Sequence, residues 1–324
     1  MTDALSPPDP GQAGVVDLFS YFGMLPFTRA EALQAGLTAK QWQQVVKSGR
    51  LCRVRQGVYL CERATDDRMK HAQDVASALK WRTNHVACSS SAVALLGLPN
   101  PYFSWWSKVP VVIAGPRSDL VHRIRRRQDW DVVPTRWGLC TDLVATAETV
   151  AMELPSRQAL MVTDQVARHL AGTQDRHVLA SEGCRVEVRR RLTYRHDLQA
   201  LSLANPAADS PAESFCRGLM IEHGFPEPAV GVPTRGASGQ QYYIDMLIGR
   251  LAIEVDGREK YRDLSVLIDE KGREDDLRLT GMEFLRSWVD DIYAKPGAEM
   301  TKLASKLNGT YPQAYPHLRI TTAV

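Results

Sequence analysis

Tyr242–Tyr261 reads YYIDMLIGRLAIEVDGREKY. Two short strands around a Gly249-Arg250 turn are the simplest account of it. Tyr243, Asp245 and Leu247 fall on one face of the first strand, because strand side chains alternate. Leu251-Ala252-Ile253-Glu254-Val255-Asp256 is apolar and β-branched, as a buried strand should be. Its last turns of alternation carry two carboxylates on one face, Glu254 and Asp256. Asp245 sits near the end of the neighbouring strand, so three carboxylates are expected to converge where two strands end.

Like charges that lose water need a positive partner. A divalent cation with oxygen ligands is an economical one, and Mg²⁺ (or Mn²⁺) takes one or two carboxylates together with water and a substrate phosphate. That chemistry suits phosphodiester hydrolysis. The competing account is an acidic hairpin on the surface with solvated charges.

The flanks extend the pattern. Pro211-Ala212-Glu213-Ser214 opens a helix that runs to about His223, with Glu213 in the first turn, where a carboxylate also suits the helix dipole. Ala229–Thr234 reads as a strand. Downstream, Asp269–Arg278 reads as a charged helix on which Glu270, Glu274 and Arg278 share a face. Gly281 ends it, and Met282–Trp288 reads as a strand carrying Arg286. The order is helix, strand, strand, strand, helix, strand.

Glu213, Asp245, Glu254-Val255-Asp256-Gly257, Glu270-Lys271 and Arg278, in that order, resemble the PD-(D/E)XK restriction-endonuclease-like superfamily. The nearest likeness is to small proteins related to very-short-patch-repair (Vsr) endonucleases, over roughly residues 210–302. The resemblance implies a mixed central sheet, with Asp245, Glu254 and Asp256 as metal ligands and Glu213 as a helper. The superfamily usually has Lys two residues after the Glu, where this chain has Asp256. Vsr relatives often carry His a few residues after Asp-Gly, where this chain has Lys260. Either Lys260 or Lys271 is then expected to supply the positive charge.

The N-terminal region has its own signature. Val15–Tyr21 reads as a short helix. Thr28 caps a second, with Glu31 at the capping-box position, and Gly36 ends it. Thr38 starts a third, from Ala39 to about Ser48, with Trp42, Val45 and Val46 facing inward. Leu51–Leu60 then alternates like a strand pair turning at Gln56-Gly57. This is the winged helix-turn-helix order. Between Thr28 and Leu60 there are six Lys or Arg residues and one acid. Lys40, Gln43, Gln44 and Lys47 on the third helix, with Arg50, Arg53 and Arg55 on the wing, are residue types that contact phosphates and base edges. The competing account is a protein-binding module with solvated basic residues.

Ala35-Gly36-Leu37, Ser48-Gly49-Arg50-Leu51 and Arg55-Gln56-Gly57-Val58-Tyr59 resemble the N-terminal domain of AbiEi-type antitoxins of type IV toxin–antitoxin systems. Ser89-Ser90-Ser91-Ala92 and Leu96-Gly97-Leu98-Pro99 look like the second domain of those proteins. The resemblance implies binding to double-stranded promoter DNA, autorepression and a nucleotidyltransferase-like toxin as partner.

The expected architecture is therefore multi-domain α/β. Residues 1–14 form a disordered lead-in without the features of a signal peptide. Residues 15–63 form the winged helix, 64–203 a central α/β domain, 204–211 a linker and 212–324 the nuclease-like domain. The formal net charge of +3 over 324 residues requires any nucleic-acid surface to be local. Six cysteines without a Cys-x-x-Cys pair argue against structural zinc and against a disulfide framework. No membrane span is expected, and a cytoplasmic location is the simplest reading. Arginine clusters at 123–127 and 185–195 are either phosphate-tracking or solvated faces. Two functional readings stand: a metal-dependent DNA endonuclease acting in phage defence or toxin–antitoxin biology, and an AbiEi-like regulator with an inactive nuclease fold.

Overall fold

The computed structural model describes residues 17–82, 84–102, 106–115, 129–258, 264–311 and 318. The chain divides into two compact units, residues 1–97 with 104–145, and residues 98–103 with 146–324. Both are mixed α/β. Among the described residues no helix is long and apolar enough to cross a membrane.

The first unit opens with α1 (Leu18–Phe22), β1 (Phe27–Thr28), α2 (Arg29–Gln34), α3 (Ala39–Lys47), β2 (Cys52–Arg55) and β3 (Val58–Leu60). Both helix starts are dictated locally. Thr28 and Glu31 form a capping box at α2, and Thr38 and Gln41 form one at α3, each satisfying donors that a helix start leaves orphaned. Phe27, Ala32, Leu37 and Trp42 make the small core, and the strands pair in the order β1-β3-β2. This is the winged-helix arrangement. It is followed by α4 (Asp67–Trp81), β4 (Val86–Ala87), α5 (Ser89–Leu96), β5 (Ile113–Ala114), β6 (Val132–Thr135) and β7 (Gly138–Thr141), whose sheet runs β5-β4-β7-β6. Of the apolar run Val109–Ala114, Ile113 and Ala114 form the strand. The triple serine is structural: Ser90 Oγ donates to the Pro110 carbonyl at 2.9 Å, and Val112 N donates to Ser91 Oγ at 2.8 Å.

The second unit begins within α6 (Leu143–Glu153) and continues through α7 (Ser156–Ala171), α8 (Arg176–Leu179), α9 (Glu182–Leu192), α10 (Gln199–Ser202) and α11 (Pro211–Glu222). Then come β8 (Ala229–Arg235), β9 (Gln241–Ile248), β10 (Leu251–Asp256), α12 (Leu264–Arg278), β11 (Glu283–Trp288), α13 (Val289–Ala294) and α14 (Pro296–Thr310). The sheet order is β11-β10-β9-β8. β10 is antiparallel to β9 and parallel to β11, because α12 carries the chain back across before β11 begins. Gly249, at φ +58°, makes the β9–β10 turn, a conformation that costs a side-chain-bearing residue energy. A side chain there would also collide with the Tyr311 ring, whose hydroxyl accepts a hydrogen bond from Arg250 N. Leu251, Ile253 and Val255 pack with α11 and α14 in the main core. Ala252 joins Leu277 of α12 and Ile244 in a second cluster.

Residues 204–208 do not form an exposed linker. Ala204, Asn205, Ala207 and Ala208 are buried. Asn205 N donates to Asp164 at 2.8 Å, and the same carboxylate receives both bonds of a forked contact from Arg217 Nη2, at 2.8 and 2.9 Å. Arg217 also donates to the Leu203 carbonyl. Gly218 lets α11 press directly on α7 at Arg157, where any Cβ would collide with backbone. The arginines of α9 are likewise spent internally: Arg189 on the Ala204 and Leu203 carbonyls and on Glu227, Arg190 on Glu187, and Arg191 on the Leu170 carbonyl. Arg189 is thereby a structural tie, while the Arg190–Glu187 pair lies on the exposed surface. The 123–127 cluster lies outside the described residues.

Asp164 and Arg217 are both fully buried. Asp164→Ala strands the guanidinium without its counter-ion, so a loss of about 3–5 kcal/mol is expected in urea or thermal unfolding.

Candidate functional site

The expected carboxylates sit where β9 and β10 part. Their antiparallel pairing runs from Leu251↔Ile248 to Ile253↔Met246 and stops there. Beyond that point Val255 N turns to a side chain, donating to Asp245 Oδ2 at 3.0 Å. Along β9 the residues alternate between buried (Ile244, Met246, Ile248) and half-buried (Tyr243, Asp245, Leu247). All of β10 is buried, including Glu254 and Asp256.

Two arginines meet these acids, and neither was among the expected site residues. Arg273 of α12 donates to Glu254 through Nη2 at 3.0 Å and Nη1 at 3.4 Å. Nη2 also donates to the Tyr243 carbonyl at 2.8 Å, and Nη1 to Glu270 at 3.3 Å. Parallel pairing sets Arg286 of β11 opposite Glu254, and its Nε lies 2.9 Å from Asp256 Oδ2. Its Nη2 lies 3.4 Å from Glu270 and 3.7 Å from Glu274. Glu274 is in turn bound by Arg278.

The electrostatics are set by burial. Loss of water pushes the Glu254 carboxyl up to about 7, the Asp245 charge adds to the shift, and Arg273 opposes it. Burial alone would lower the Arg273 guanidinium, yet the Glu254, Glu270 and Asp245 charges outweigh it and raise it. One edge of the cluster opens on a cavity of about 240 Å³ lined by Glu254, Glu274, Arg278 and Arg286 with Phe284 and Leu285.

The other expected residues are placed as follows. Glu213 is buried at the start of α11 and accepts from Asp209 N at 3.1 Å. This is a helix-terminus role. Burial pushes the nearby Cys216 thiol up to about 12, and Glu299, Glu213 and Asp245 add to that shift, so Glu213 and Asp245 both lie near one buried point. Lys271 is exposed on α12 beside a cleft that it shares with Glu270, Glu274 and Arg286. Lys260 lies outside the described residues. The convergence of three carboxylates on one point does not appear: among the described residues, no group of three or more His, Cys, Asp or Glu side chains is arranged to hold a metal ion. The physical reason is that Arg286 draws Asp256 away, while Asp245 and Glu254 are bound separately by Val255 N and Arg273. Glu254 and Asp245 are hard oxygen donors, of the type that Mg²⁺ or Mn²⁺ takes. The arginine signal was legible in principle, since Arg273 lies three residues from Glu270 on the helix face that also carries the buried Leu277.

In the first unit, Lys40, Gln43, Gln44, Lys47, Arg50 and Arg53 are exposed and Arg55 is half-buried. Trp42, on the opposite side of α3, is buried in the core.

A comparison with protein-family models finds no match. Two uncharacterized proteins of Mycobacterium tuberculosis, from two strains, are each 27% identical to this chain over 281 residues, covering 84% of it and 98% of their own length.

The raised Glu254 carboxyl has a consequence for stability. The folded state holds this proton more tightly than the unfolded chain, so ionising it costs stability as pH rises from about 4.5 to about 7. Glu254→Gln is free of that cost. Its stability relative to wild type should rise through this window and level off above it, by at most about 3 kcal/mol. Urea unfolding of both proteins at pH 5 and pH 8 measures the change.

Proposed function

We propose that this chain is a DNA-binding protein whose second unit carries a metal-dependent endonuclease site, used in phage defence or toxin–antitoxin biology. The observation that carries the reading is the placing of buried Glu254 near Asp245 at the point where β9 and β10 separate, two hard oxygen donors whose charges oppose each other. A Mg²⁺ or Mn²⁺ ion held there would lower the pKa of a bound water and make it a nucleophile toward phosphorus. Asp245 is pre-oriented by Val255 N, and Glu254 is the buried anion that favours a cation. Arg286 and the exposed Lys271 stand ready to offset charge that builds on the phosphate. Glu213 supports the site through its helix start. Lys40, Lys47, Arg50, Arg53 and Arg55 of the winged helix supply DNA affinity through phosphate neutralisation, with Gln43 and Gln44 placed for base edges.

Nicking of supercoiled plasmid in Mn²⁺ is the test. Asp245→Asn and Glu254→Gln should each lower the rate by roughly 100-fold or more while leaving DNA affinity intact. Equal nicking by all three proteins sinks the reading.

A second reading is favoured by Asp256, which stands where the superfamily usually has a lysine and is bound by Arg286. It makes the chain an AbiEi-like autorepressor, paired with a nucleotidyltransferase-like toxin, whose second unit is a binding platform. Both readings predict that Arg53→Ala with Arg55→Ala weakens binding to duplex DNA and flattens the slope of log K against log salt by about 2. Only the second predicts that no divalent cation changes the outcome.

A further inference from the structure

Within the first unit, α4, the end of α5 and the β6–β7 turn line an open groove of about 480 Å³. That is within the size range of small-molecule sites, about 300–1,000 Å³. Its floor is apolar: Trp137 of the turn packs with Ala72 of α4, and Met69 and Leu95 pack against them. The turn is pinned from within. Trp137 N donates to Thr135 Oγ1 at 3.1 Å, and that hydroxyl donates to the Gly138 carbonyl at 2.8 Å. Gly138 has φ +129°, and a side chain there would collide with Leu79. So held, the turn brings Arg136 to the groove, with its guanidinium over the Trp137 ring at 4.6 Å.

Arg68 lines the groove from α4. Its Nε and Nη2 both donate to the Ala94 carbonyl, at 3.1 and 3.0 Å, a tie that suits a cation near the end of a helix. That tie occupies one edge of the fork and leaves Nη1 without a hydrogen bond to a described residue. Neither Arg68 nor Arg136 forms an ion pair with a described residue. Arg136 is exposed, so water can carry its charge, but Arg68 is half-buried. Burial lowers the Arg68 guanidinium, and the nearby Asp66 charge opposes that shift. A cation that gives up water without a carboxylate partner is costly to keep. An anion arriving in the groove would supply that partner.

We propose that this groove binds a small aromatic anion, whose apolar body lies against Met69, Ala72 and Leu95 and whose carboxylate or phosphate group is taken by Arg68 and Arg136. Guanidinium forks match both head groups. A guanidinium already stacked on one ring can also stack on a second while its edge donors bind the anion, which favours a flat body over a branched one. The site lies in the first unit and does not depend on the nuclease reading.

The test is calorimetric titration of the full chain with naphthoate, naphthyl phosphate and the uncharged naphthalenemethanol. At least one anion should saturate a single site, roughly tenfold or more tighter than the alcohol. The tighter of the two anions names the head group. Arg136→Gln removes an exposed cation and leaves the core intact. It should weaken that anion by roughly tenfold, and the alcohol by less. Arg68→Gln should do the same, and Arg136→Gln covers the case in which loss of the Ala94 tie unfolds α5. Equal affinity for anions and alcohol would leave a plain apolar groove. Anion binding untouched by either substitution would put the site elsewhere. No saturable heat from any probe would leave the arginines without a small ligand. Loss of duplex DNA affinity in Arg136→Gln, with no heat from either anion, would assign them to a nucleic-acid surface. Each of these four results overturns the proposal.

Discussion

Burying Glu254 is the constraint on which the second unit turns. A carboxylate in the middle strand of a sheet cannot keep its water, and an uncompensated charge there costs far more than a surface ion pair returns. The surrounding elements answer that cost. β10 leaves its partner β9 after Ile253, so that Val255 N reaches Asp245 rather than a strand carbonyl. α12 carries Arg273 across the acidic face, and the parallel strand β11 carries Arg286 to Asp256. Burial still raises the Glu254 carboxyl, with the Asp245 charge adding to the shift and Arg273 opposing it. A fold that needed only stability would be better served by an apolar residue at that position. The retention of the charge is what gives the site its functional reading.

A second buried pair does purely structural work. Asp164 and Arg217 join α7 to α11, and they gather the backbone of Leu203 and Asn205 into the same knot. The first helix of the β8–β11 region is thereby welded to the helical layer that precedes it. The two buried pairs differ in balance. The Asp164–Arg217 fork is compact and its acceptors are satisfied, whereas Glu254 shares its surroundings with the charge of Asp245.

Much of this was legible in the sequence, and the parts that were not share a cause. The strands and helices from Pro211 to Trp288 follow from alternation, a Gly249-Arg250 turn and a charged helix ending at Gly281. The winged helix follows from Thr28, Thr38 and the Gln56-Gly57 turn. These are local signals. The burial of 204–208 was not legible, because small residues with a proline look the same in a linker and in a packed crossing, and the deciding partner, Asp164, is forty-one residues from Asn205. The spreading of the three carboxylates was missed for the same reason. Alternation places Glu254 and Asp256 on one face, but only the folded chain shows that Arg286, opposite Glu254 in the β10–β11 register, reaches Asp256. The lysines at 260 and 271 were natural candidates for positive charge. The structure puts Arg273 and Arg286 on the acids and Lys271 exposed on the helix surface, while Lys260 lies outside the described residues.

The central claim is that Asp245 and Glu254 together form a cation site. Anomalous diffraction from crystals soaked in Mn²⁺, collected near the manganese edge, tests it most directly. The account predicts an anomalous peak between the Asp245 and Glu254 carboxylates. Crystals that show no peak there would contradict it.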